Sequence, residues 1–393
     1  MGASFKFVHC ADLHLGSRFR GVSEDDPQRA RVLTATVSQS FSRIVDLAIS
    51  EKADALLIAG DSFDEENITP RTRMFLVSEL TRVRIPVFMV RGNHDPRTAY
   101  DDSMPMPSNV HIFGADPESV GIPGIDAAEV VGASFREWHE ERNLPSMMRG
   151  SPGCFSIGLV HCDVDSAGSD YAYSPCSLSD LQGKGIDYWA LGHIHKRSVL
   201  SEDPWAVYPG NIQGRSLKET GEKGAYVVTV TDGRVSEARF VPTQGIIWFD
   251  EEADITGKDL QSFLKDLKER VPRGSVLRLR VVGRGPLDDL MRSEDAVKLL
   301  SEQLGCTMAG LDVRSGPDID IESRKRSRDM IGMVAKSADA LVSEGRQAFL
   351  DIIASNPVAK AHMDLFEQMS DEEIRAIVDS AVETLAGKME ASR

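Results

Sequence analysis

Short apolar runs that end on polar, metal-binding side chains recur along the first half of the chain. The runs are FKFVHCADLH, ALLIAGDSFD, PVFMVRGNHD, IGLVHCDV and YWALGHIH. An apolar run of this length predicts a buried strand, and polar residues just beyond the carboxyl end of a strand can point into a crevice of an α/β sheet. We therefore expect the side chains that follow these five strands to meet at one edge.

Helical periodicity separates the predicted strands. Pro27 begins a pattern in which apolar residues recur at four-residue steps up to Ile49, and Thr69 and Pro70 begin a second helix that ends near Arg84. The alternation of strands and helices over residues 1–245 predicts a layered α/β catalytic domain. Two alternating runs joined by Asp232-Gly233 predict a hairpin that closes it.

The remainder of the chain has a different pattern. Residues 246–322 predict a small α+β cap domain with helices at 259–270 and 287–303 and strands at 275–282 and 309–314. Residues 323–393 predict a helical C-terminal region, in which Ser370 and Glu373 form a capping box. Its apolar residues either dock a helix of a partner or pack in the protein's own core; they are Leu341, Phe349, Leu350, Ile352 and Ile353.

Composition narrows the classes of function. The net charge of -16 over 393 residues argues against broad electrostatic adhesion to nucleic acid or anionic lipid, although local patches, bound cations or a basic partner can still attract phosphate. The 5 cysteines form no CxxC pair, which favours a reducing compartment. No signal peptide and no run of membrane-spanning length is visible. We expect a cytoplasmic protein that does not enter a membrane.

The side chains at the strand ends have the chemistry of metal ligands. Oxygen and imidazole donors suit two divalent ions, most simply Mn²⁺ with Mg²⁺ as the alternative, and the lack of thiolate pairs argues against structural zinc. Each residue alone is more often an ordinary core or surface residue, but their joint occurrence favours metal. The predicted ligands are Asp12, His14, Asp61, Asn93, His161, His193 and His195.

Three further expectations concern this cluster. Two neighbouring ions need a shared carboxylate, and Asp61 is the candidate because Gly60 beside it lets the backbone turn. Asp12 and His14 alternate around Leu13, so both face the crevice if this segment is extended. His94 is the candidate proton donor. The remaining histidines follow no such strand and are predicted to be structural; they are His9, His111, His139 and His362.

In order, the blocks DLH, GDSFD, GNHD, VHCD and GHIH resemble those of the calcineurin-like metallophosphoesterases. The resemblance implies a two-sheet sandwich flanked by helices and a hydrolase of ester bonds. It also implies how the ligands divide between two ions. One ion would be held by Asp12, His14, Asp61 and His195, and the other by Asp61, Asn93, His161 and His193.

The continuation VYPGNIQGRSLKETGEKGAYVV resembles the SbcD-type bacterial DNA-repair exonucleases. That resemblance implies a Mn-dependent DNA exonuclease or endonuclease in double-strand break repair, an SMC-like coiled-coil ATPase as partner, and a homodimer. Archaeal and eukaryotic relatives carry a second catalytic histidine three residues after the bridging aspartate, where this chain has Asp64, as bacterial members often do. The catalytic candidates are therefore His94, Asp95, which would orient His94, and Asp64.

Substrate contacts and rival functions stay open at this stage. Arg18, Lys196, Arg197 and Arg215 flank the blocks and either grip DNA phosphates or are solvated surface charges. The run RKRSR at 324–328 is more simply the exposed start of a helix than a nucleic-acid site. One rival function is a phosphoesterase that acts on a small molecule or a phosphoprotein. Another is a non-catalytic scaffold for DNA ends or the ATPase, which the full ligand set argues against.

Overall fold

The computed structural model describes residues 2–17, 19, 27–64, 68–95, 105–165, 173–318 and 320–390, without the side chains of 27–34 and 390. The chain divides into two compact units. The first contains residues 1–249 with 274–276, and the second contains 250–273 with 277–393. The domain boundaries expected at 245 and 322 stay predictions.

The first unit alternates strands and helices, as the apolar pattern predicts. Its helices are α1 (Pro27–Ser50), α2 (Pro70–Val83) and the short α3 (Leu144–Met147). Its strands are β1 (Phe5–Cys10), β2 (Ala55–Ala59), β3 (Val87–Val90), β4 (Val110–Ile112), β5 (Glu118–Gly121), β6 (Ala128–Ala133), β7 (Phe155–His161), β8 (Asp163–Val164), β9 (Pro175–Cys176), β10 (Tyr188–Gly192), β11 (Ser198–Glu202), β12 (Trp205–Tyr208), β13 (Gly224–Thr231) and β14 (Arg234–Pro242).

Two six-stranded sheets organise the described part of this unit. The first has the order β14-β13-β1-β2-β3-β4, and the second has the order β11-β12-β10-β7-β6-β5. The strands β1 to β4 run parallel, as do β6, β7, β10 and β12. β13 and β14 form the predicted antiparallel hairpin through Asp232-Gly233. The expected two-sheet α/β architecture is confirmed.

Alternating side chains build three apolar layers. In β1, Phe7 faces the core between the two sheets, whereas Val8 faces the helices that cover the first sheet. Trp189 of β10 packs on the outer side of the second sheet, near α3. This burial of both faces explains why the parallel strands read as continuous apolar runs in the sequence.

The first helix follows the predicted stripe with one difference. Val37, Phe41 and Val45 are buried against the first sheet, but Ile49 is 46% exposed. The last turn of α1 instead buries Ala48. The helical period of 3.6 residues explains this, because a strict four-residue step drifts around the helix away from the core. The second helix begins as predicted, with the Thr69 side chain accepting a hydrogen bond from the Thr72 backbone N–H.

The second unit contains a three-stranded sheet and a helical tail. The sheet has the order β15-β16-β17, formed by β15 (Trp248–Asp254), which starts in the first unit, β16 (Val276–Val282) and β17 (Thr307–Val313). The helices are α4 (Leu260–Arg270), α5 (Asp288–Arg292), α6 (Ala296–Leu304), α7 (Ile321–Arg324), α8 (Met330–Glu344), α9 (Arg346–Ser355), α10 (Pro357–Lys360), α11 (Met363–Glu367) and α12 (Asp371–Glu390). The single helix expected at 287–303 is wrong: the chain breaks at Ser293, whose backbone N–H donates to Leu290, and resumes at Ala296.

The tail packs mostly on itself. Phe349 is buried, and Leu341, Leu350 and Ile353 pack against the same small core, which leaves Ile352 as the exposed member of the predicted docking set. Ser370 and Glu373 form the predicted capping box. In the run at 324–328, Lys325 forms ion pairs with Glu322 and Asp339, which compensate the charge of this lysine locally. Within the described residues, no helix has the length and apolar character of a membrane span.

Candidate metal centre

The predicted ligands lie at the carboxyl ends of strands from both sheets. Asp12 and His14 follow β1, Asp61 follows β2, and His161 ends β7. The backbone leaves extended geometry at these points, because φ is 51° at Asp12, 44° at His14 and 49° at Asp61. The expectation that Asp12 and His14 share one extended segment is therefore wrong. Non-glycine residues rarely adopt this left-handed conformation, and such strain concentrates at functional sites.

The first group of side chains contains Asp12, His14 and His195. The Nε2 atoms of His14 and His195 are 3.1 Å apart, and Nε2 of His195 is 3.9 Å from Oδ1 of Asp12. Two nitrogens that are each about 2.1 Å from one ion lie about 3.0 to 3.4 Å apart, for octahedral to tetrahedral angles. The spacing of these two imidazoles therefore fits a shared cation.

The second group centres on His161, whose Nε2 atom is 3.1 Å from Oδ1 of Asn93 and 3.4 Å from Oδ2 of Asp61. The same Asp61 oxygen is 3.8 Å from Nε2 of His14. The other oxygen, Oδ1, accepts a hydrogen bond from the backbone N–H of His94 at 2.9 Å. One oxygen of Asp61 thus faces both groups. The ring of His193 lies beside that of His161, with centroids 5.1 Å apart.

Close approach of the strands leaves room for glycine alone at two positions. A Cβ atom on Gly60, where φ is +91°, would lie 2.4 Å from Nδ1 of His161. On Gly92 it would lie 2.2 Å from Oδ1 of Asp61. Both contacts are far inside van der Waals distance, so a side chain there would displace the predicted ligands. The glycines of the GDSFD and GNHD blocks are therefore required by packing around the site.

Burial and mutual charge set the protonation states. Burial opposes ionisation of Asp61, but the facing His161 and His14 outweigh it and hold the pKa of Asp61 well below its ordinary value. Burial, together with the neighbouring charge of Arg215, lowers the pKa of His14, and burial lowers the pKa of His193 to about 3. An ionised carboxylate and neutral imidazoles are the forms that ligate divalent cations. Two predicted ligands are shifted the other way: burial raises the pKa of Asp12, and burial of His161 is outweighed by the facing Asp61, which raises the pKa of that imidazole to about 9. The donor types fit a pair of divalent ions, and cation binding would oppose both of these shifts.

His94 contacts Asp64, and not Asp95 as expected. Its Nδ1 atom is 3.2 Å from Oδ1 of Asp64. Asp95 accepts backbone N–H groups of Gly92 and Ser62 instead, and is buried. The hydrogen bond to Asp64 raises the pKa of His94. Burial, followed by the nearby charge of Asp61, raises the pKa of Asp95 to about 7. Asp95 therefore holds the loop between the strand ends, and Asp64 orients His94.

Comparison with known proteins identifies the family. The profile of the calcineurin-like phosphoesterases matches residues 5–197. The uncharacterized metallophosphoesterase YhaO of Bacillus subtilis is 36% identical over 293 residues, which are 71% of this chain and 71% of YhaO. This chain belongs to the calcineurin-like phosphoesterases.

The phosphoesterase is also similar to archaeal proteins named DNA double-strand break repair protein Mre11. That of Archaeoglobus fulgidus is 29% identical over 246 residues, 55% of this chain and 52% of the relative. That of Aeropyrum pernix is 30% identical over 264 residues, 60% of this chain and 61% of the relative. Among solved structures, a dimetal phosphatase from Danio rerio covers 61% of this chain with a TM-score of 0.38 and 14% identity. A likeness that low carries no information on activity.

The four predicted DNA contacts have different surroundings in the structure. Arg18 lies outside the described residues, and Lys196 is exposed. The guanidinium of Arg197 stacks on the ring of Phe240, 3.9 Å from its centroid. Arg215 is engaged internally, because only 14% of its side chain is exposed and its Nη2 atom lies 3.0 Å from Oε1 of Glu219. Arg215 is therefore not a solvated surface charge, and its contact with a DNA phosphate stays a prediction.

Arg215 and Glu219 instead connect the two halves of the site. Oε1 of Glu219 is 2.8 Å from Nδ1 of His195, which leaves Nε2 of that ring facing the metal side. Arg215 Nη1 donates to Oγ of Ser17, and that hydroxyl donates to Oδ2 of Asp64. A continuous set of hydrogen bonds thus runs from the His94 partner to the His195 partner. Sequence reasoning missed both Glu219 and Ser17. The signal that could have found Glu219 is its place in the segment that resembles the SbcD-type exonucleases.

Replacing Asp61 tests the shared carboxylate. Asp61→Ala removes the oxygen that faces both His14 and His161, so we expect loss of both Mn²⁺ equivalents when metal content is measured after dialysis. Asp95→Asn is the matched control, because Asp95 is also buried but bonds backbone groups. Retention of two ions by Asp61→Ala would contradict the shared position.

Replacing Glu219 tests the support of His195. Glu219→Ala leaves Nδ1 of His195 without its partner, and loss of such a partner lowers metal affinity about 10- to 100-fold. Mn²⁺ titration followed by electron paramagnetic resonance measures this affinity directly. Glu219→Gln should recover part of it, and Glu222→Ala, which alters an exposed neighbour, should have none of the effect. Equal affinities in all four proteins would rule the support out.

Proposed function

We propose that this phosphoesterase is an SbcD-type DNA exonuclease or endonuclease that hydrolyses phosphodiester bonds with two divalent cations, in double-strand break repair or end processing. The observation that carries the proposal is the reach of the similarity to the Mre11 proteins. Those alignments of 246 and 264 residues exceed the 5–197 region that the phosphoesterases share in general. Glu219, which supports His195, lies beyond residue 197.

The predicted ligands would hold the two cations. One cation would bind Asp12, His14, Asp61 and His195, and the other Asp61, Asn93, His161 and His193; Mn²⁺ is the first choice. When bound, such a pair lowers the pKa of water and offsets the negative charge of the phosphate in an in-line displacement.

His94 would supply the proton for the departing oxygen. Its Nδ1 atom faces Asp64, so the opposite ring nitrogen, Nε2, is the one available to the substrate. Asp64 favours the protonated ring, since the hydrogen bond between them raises the pKa of His94. The side chain of His94 is 43% exposed, which gives substrate access to the ring. Asp64 would act as the positioning residue of this donor.

One observation favours a phosphoesterase with a small or phosphoprotein substrate. The chain carries a net charge of -16, and the charge of Arg215 is engaged with Glu219 within the site, which disfavours broad electrostatic attraction of a DNA backbone. A small phosphate ester needs only the metal pair. A non-catalytic scaffold has less support, because His94 and Asp64 are arranged as a proton donor and its partner.

The SMC-like ATPase and the homodimer are part of this proposal, and so is the cytoplasmic location. The names of the Mre11 relatives support DNA repair in general. The tail residues expected to dock a partner helix pack mostly in their own core, with Ile352 exposed. An ATPase would therefore meet a different face of the helical tail from the predicted one.

End-labelled DNA tests the reaction class. We expect the purified chain with Mn²⁺ to shorten or nick duplex and single-stranded DNA, more slowly with Mg²⁺, and faster when an SMC-like ATPase is added. Asp61→Ala serves as the inactive control. Hydrolysis of a nitrophenyl diester with no cleavage of either DNA would instead support the phosphoesterase with a small substrate.

Paired substitutions test the proton donor. His94→Ala should lower kcat on DNA by about 10²- to 10⁴-fold, the usual contribution of general acid catalysis, while the bound metal stays at the wild-type level. Asp64→Asn should lower kcat less, because the donor remains and loses only its charged partner. Parallel loss of metal and activity in His94→Ala would show a ligand role instead. A nitrophenyl diester, whose leaving group needs no proton, should be far less affected.

A further inference from the structure

A run of aromatic rings leads from the predicted metal centre to the surface. The ring of His193 lies 5.2 Å from that of Tyr173, Tyr173 lies 5.4 Å from His139, and His139 lies 5.4 Å from Trp138, all between centroids. The outermost ring, Trp138, is 62% exposed. We call these four side chains the aromatic run.

The segment that carries Trp138 and His139 is held firmly. The buried carboxylate of Glu140 accepts hydrogen bonds from the backbone N–H groups of Arg136 and Arg142 and from the Arg142 guanidinium, with Nη2 at 2.6 Å. Its backbone carbonyl accepts from Ser174 N–H at 2.6 Å, which ties this segment to the residue next to Tyr173. Preorganised contact residues lose little conformational entropy when a ligand binds.

The inner end of the run is fixed to the strand ends. The carbonyl of Tyr173 accepts the backbone N–H of Asp163, two residues beyond the predicted ligand His161. Phe135, at the start of the same segment as Trp138, packs its ring 5.4 Å from that of His161. The aromatic run is therefore continuous with the metal centre, which distinguishes Trp138 from scattered exposed apolar residues that need no explanation.

We propose that the aromatic run is a stacking platform for unpaired nucleobases of the strand whose phosphate reaches the metal centre, with Trp138 as its outer ring. The proposal rests on the proposed function, and it names an unpaired DNA strand as the substrate at this face. A phosphodiester bond held at the centre would bring the adjoining nucleoside close to the predicted ligand His193. Bases have two apolar faces, and base–aromatic stacking tolerates any sequence.

The charge of the chain favours stacking over ionic contacts here. Proteins that bind nucleic acid through many phosphate contacts lose affinity steeply with salt. This chain is acidic, Arg215 is engaged within the site, and Arg197 is stacked on Phe240. Affinity that comes from base stacking does not require cations. It suits an acidic protein in which the metal pair would anchor the phosphate.

Oligonucleotide binding tests the platform. Fluorescence anisotropy of a labelled single-stranded oligonucleotide gives Kd for the full chain with Mn²⁺, in a His94→Ala background that slows turnover. We expect Trp138→Ala to weaken binding about 5- to 150-fold, the range of base–aromatic stacking, and Trp138→Phe to restore most of it. Met74→Ala is the control, because Met74 is also 62% exposed but lies on α2.

An abasic strand makes the test specific for bases. Removal of the bases near the scissile phosphate should weaken wild-type binding as much as Trp138→Ala does, and the two changes together should add little. If the wild type cleaves DNA and Trp138→Ala binds intact and abasic strands like the wild type, the platform is wrong and the proposed function stands. If the wild type neither binds nor cleaves any DNA while it hydrolyses a nitrophenyl diester, both proposals fall.

Discussion

The carboxylate of Asp61 is buried between the imidazoles of His14 and His161, and the geometry around it depends on that position. A buried charge is costly unless it is paired, and Asp61 has one oxygen bonded to the His94 backbone and one facing two rings. Two nitrogens of His14 and His195 at 3.1 Å cannot both be protonated without repulsion. A bound cation would therefore stabilise this cluster of donor atoms. The left-handed backbone at Asp61 is a strained conformation of the kind that concentrates at functional sites.

Much of this cluster of side chains could be predicted from the sequence, because the same pattern, an apolar run followed by polar metal-binding residues, occurs five times. Each apolar run had to be a buried strand, and parallel strands bring their carboxyl ends to one edge, so the polar residues after them had to meet. Local signals likewise predicted the start of α2 at Thr69 and the hairpin at Asp232-Gly233. These features depend on contacts between near neighbours in the chain or on a rule of sheet topology.

The rest depends on contacts between distant residues that no local pattern encodes. Asp95 directly follows His94 in the sequence whereas Asp64 lies on a different loop, and only the folded geometry decides that Asp64 faces the ring while Asp95 bonds backbone N–H groups. Arg215 is a residue type that often contacts phosphate. Here its guanidinium donates instead to the Glu219 carboxylate, which also contacts His195. His139 follows no strand of the ligand type, and it reaches Tyr173 because the carbonyl of the next residue, Glu140, accepts a hydrogen bond from the distant Ser174 N–H.

Hydrogen bonds run from Asp64 through Ser17 and Arg215 to Glu219, so His94 and the predicted ligand His195 have a common support. Residues in one network of this kind do not act independently, so the geometry of His94 is coupled to that of His195. A guanidinium suits the central position because its planar fork can bond a hydroxyl and a carboxylate at once, which an ammonium group cannot do with the same fixed geometry. The same hydrogen bonds engage the positive charge of the Arg215 guanidinium within the site. Arg215 therefore stabilises the relative positions of Asp64 and Glu219, and through them the rings of His94 and His195.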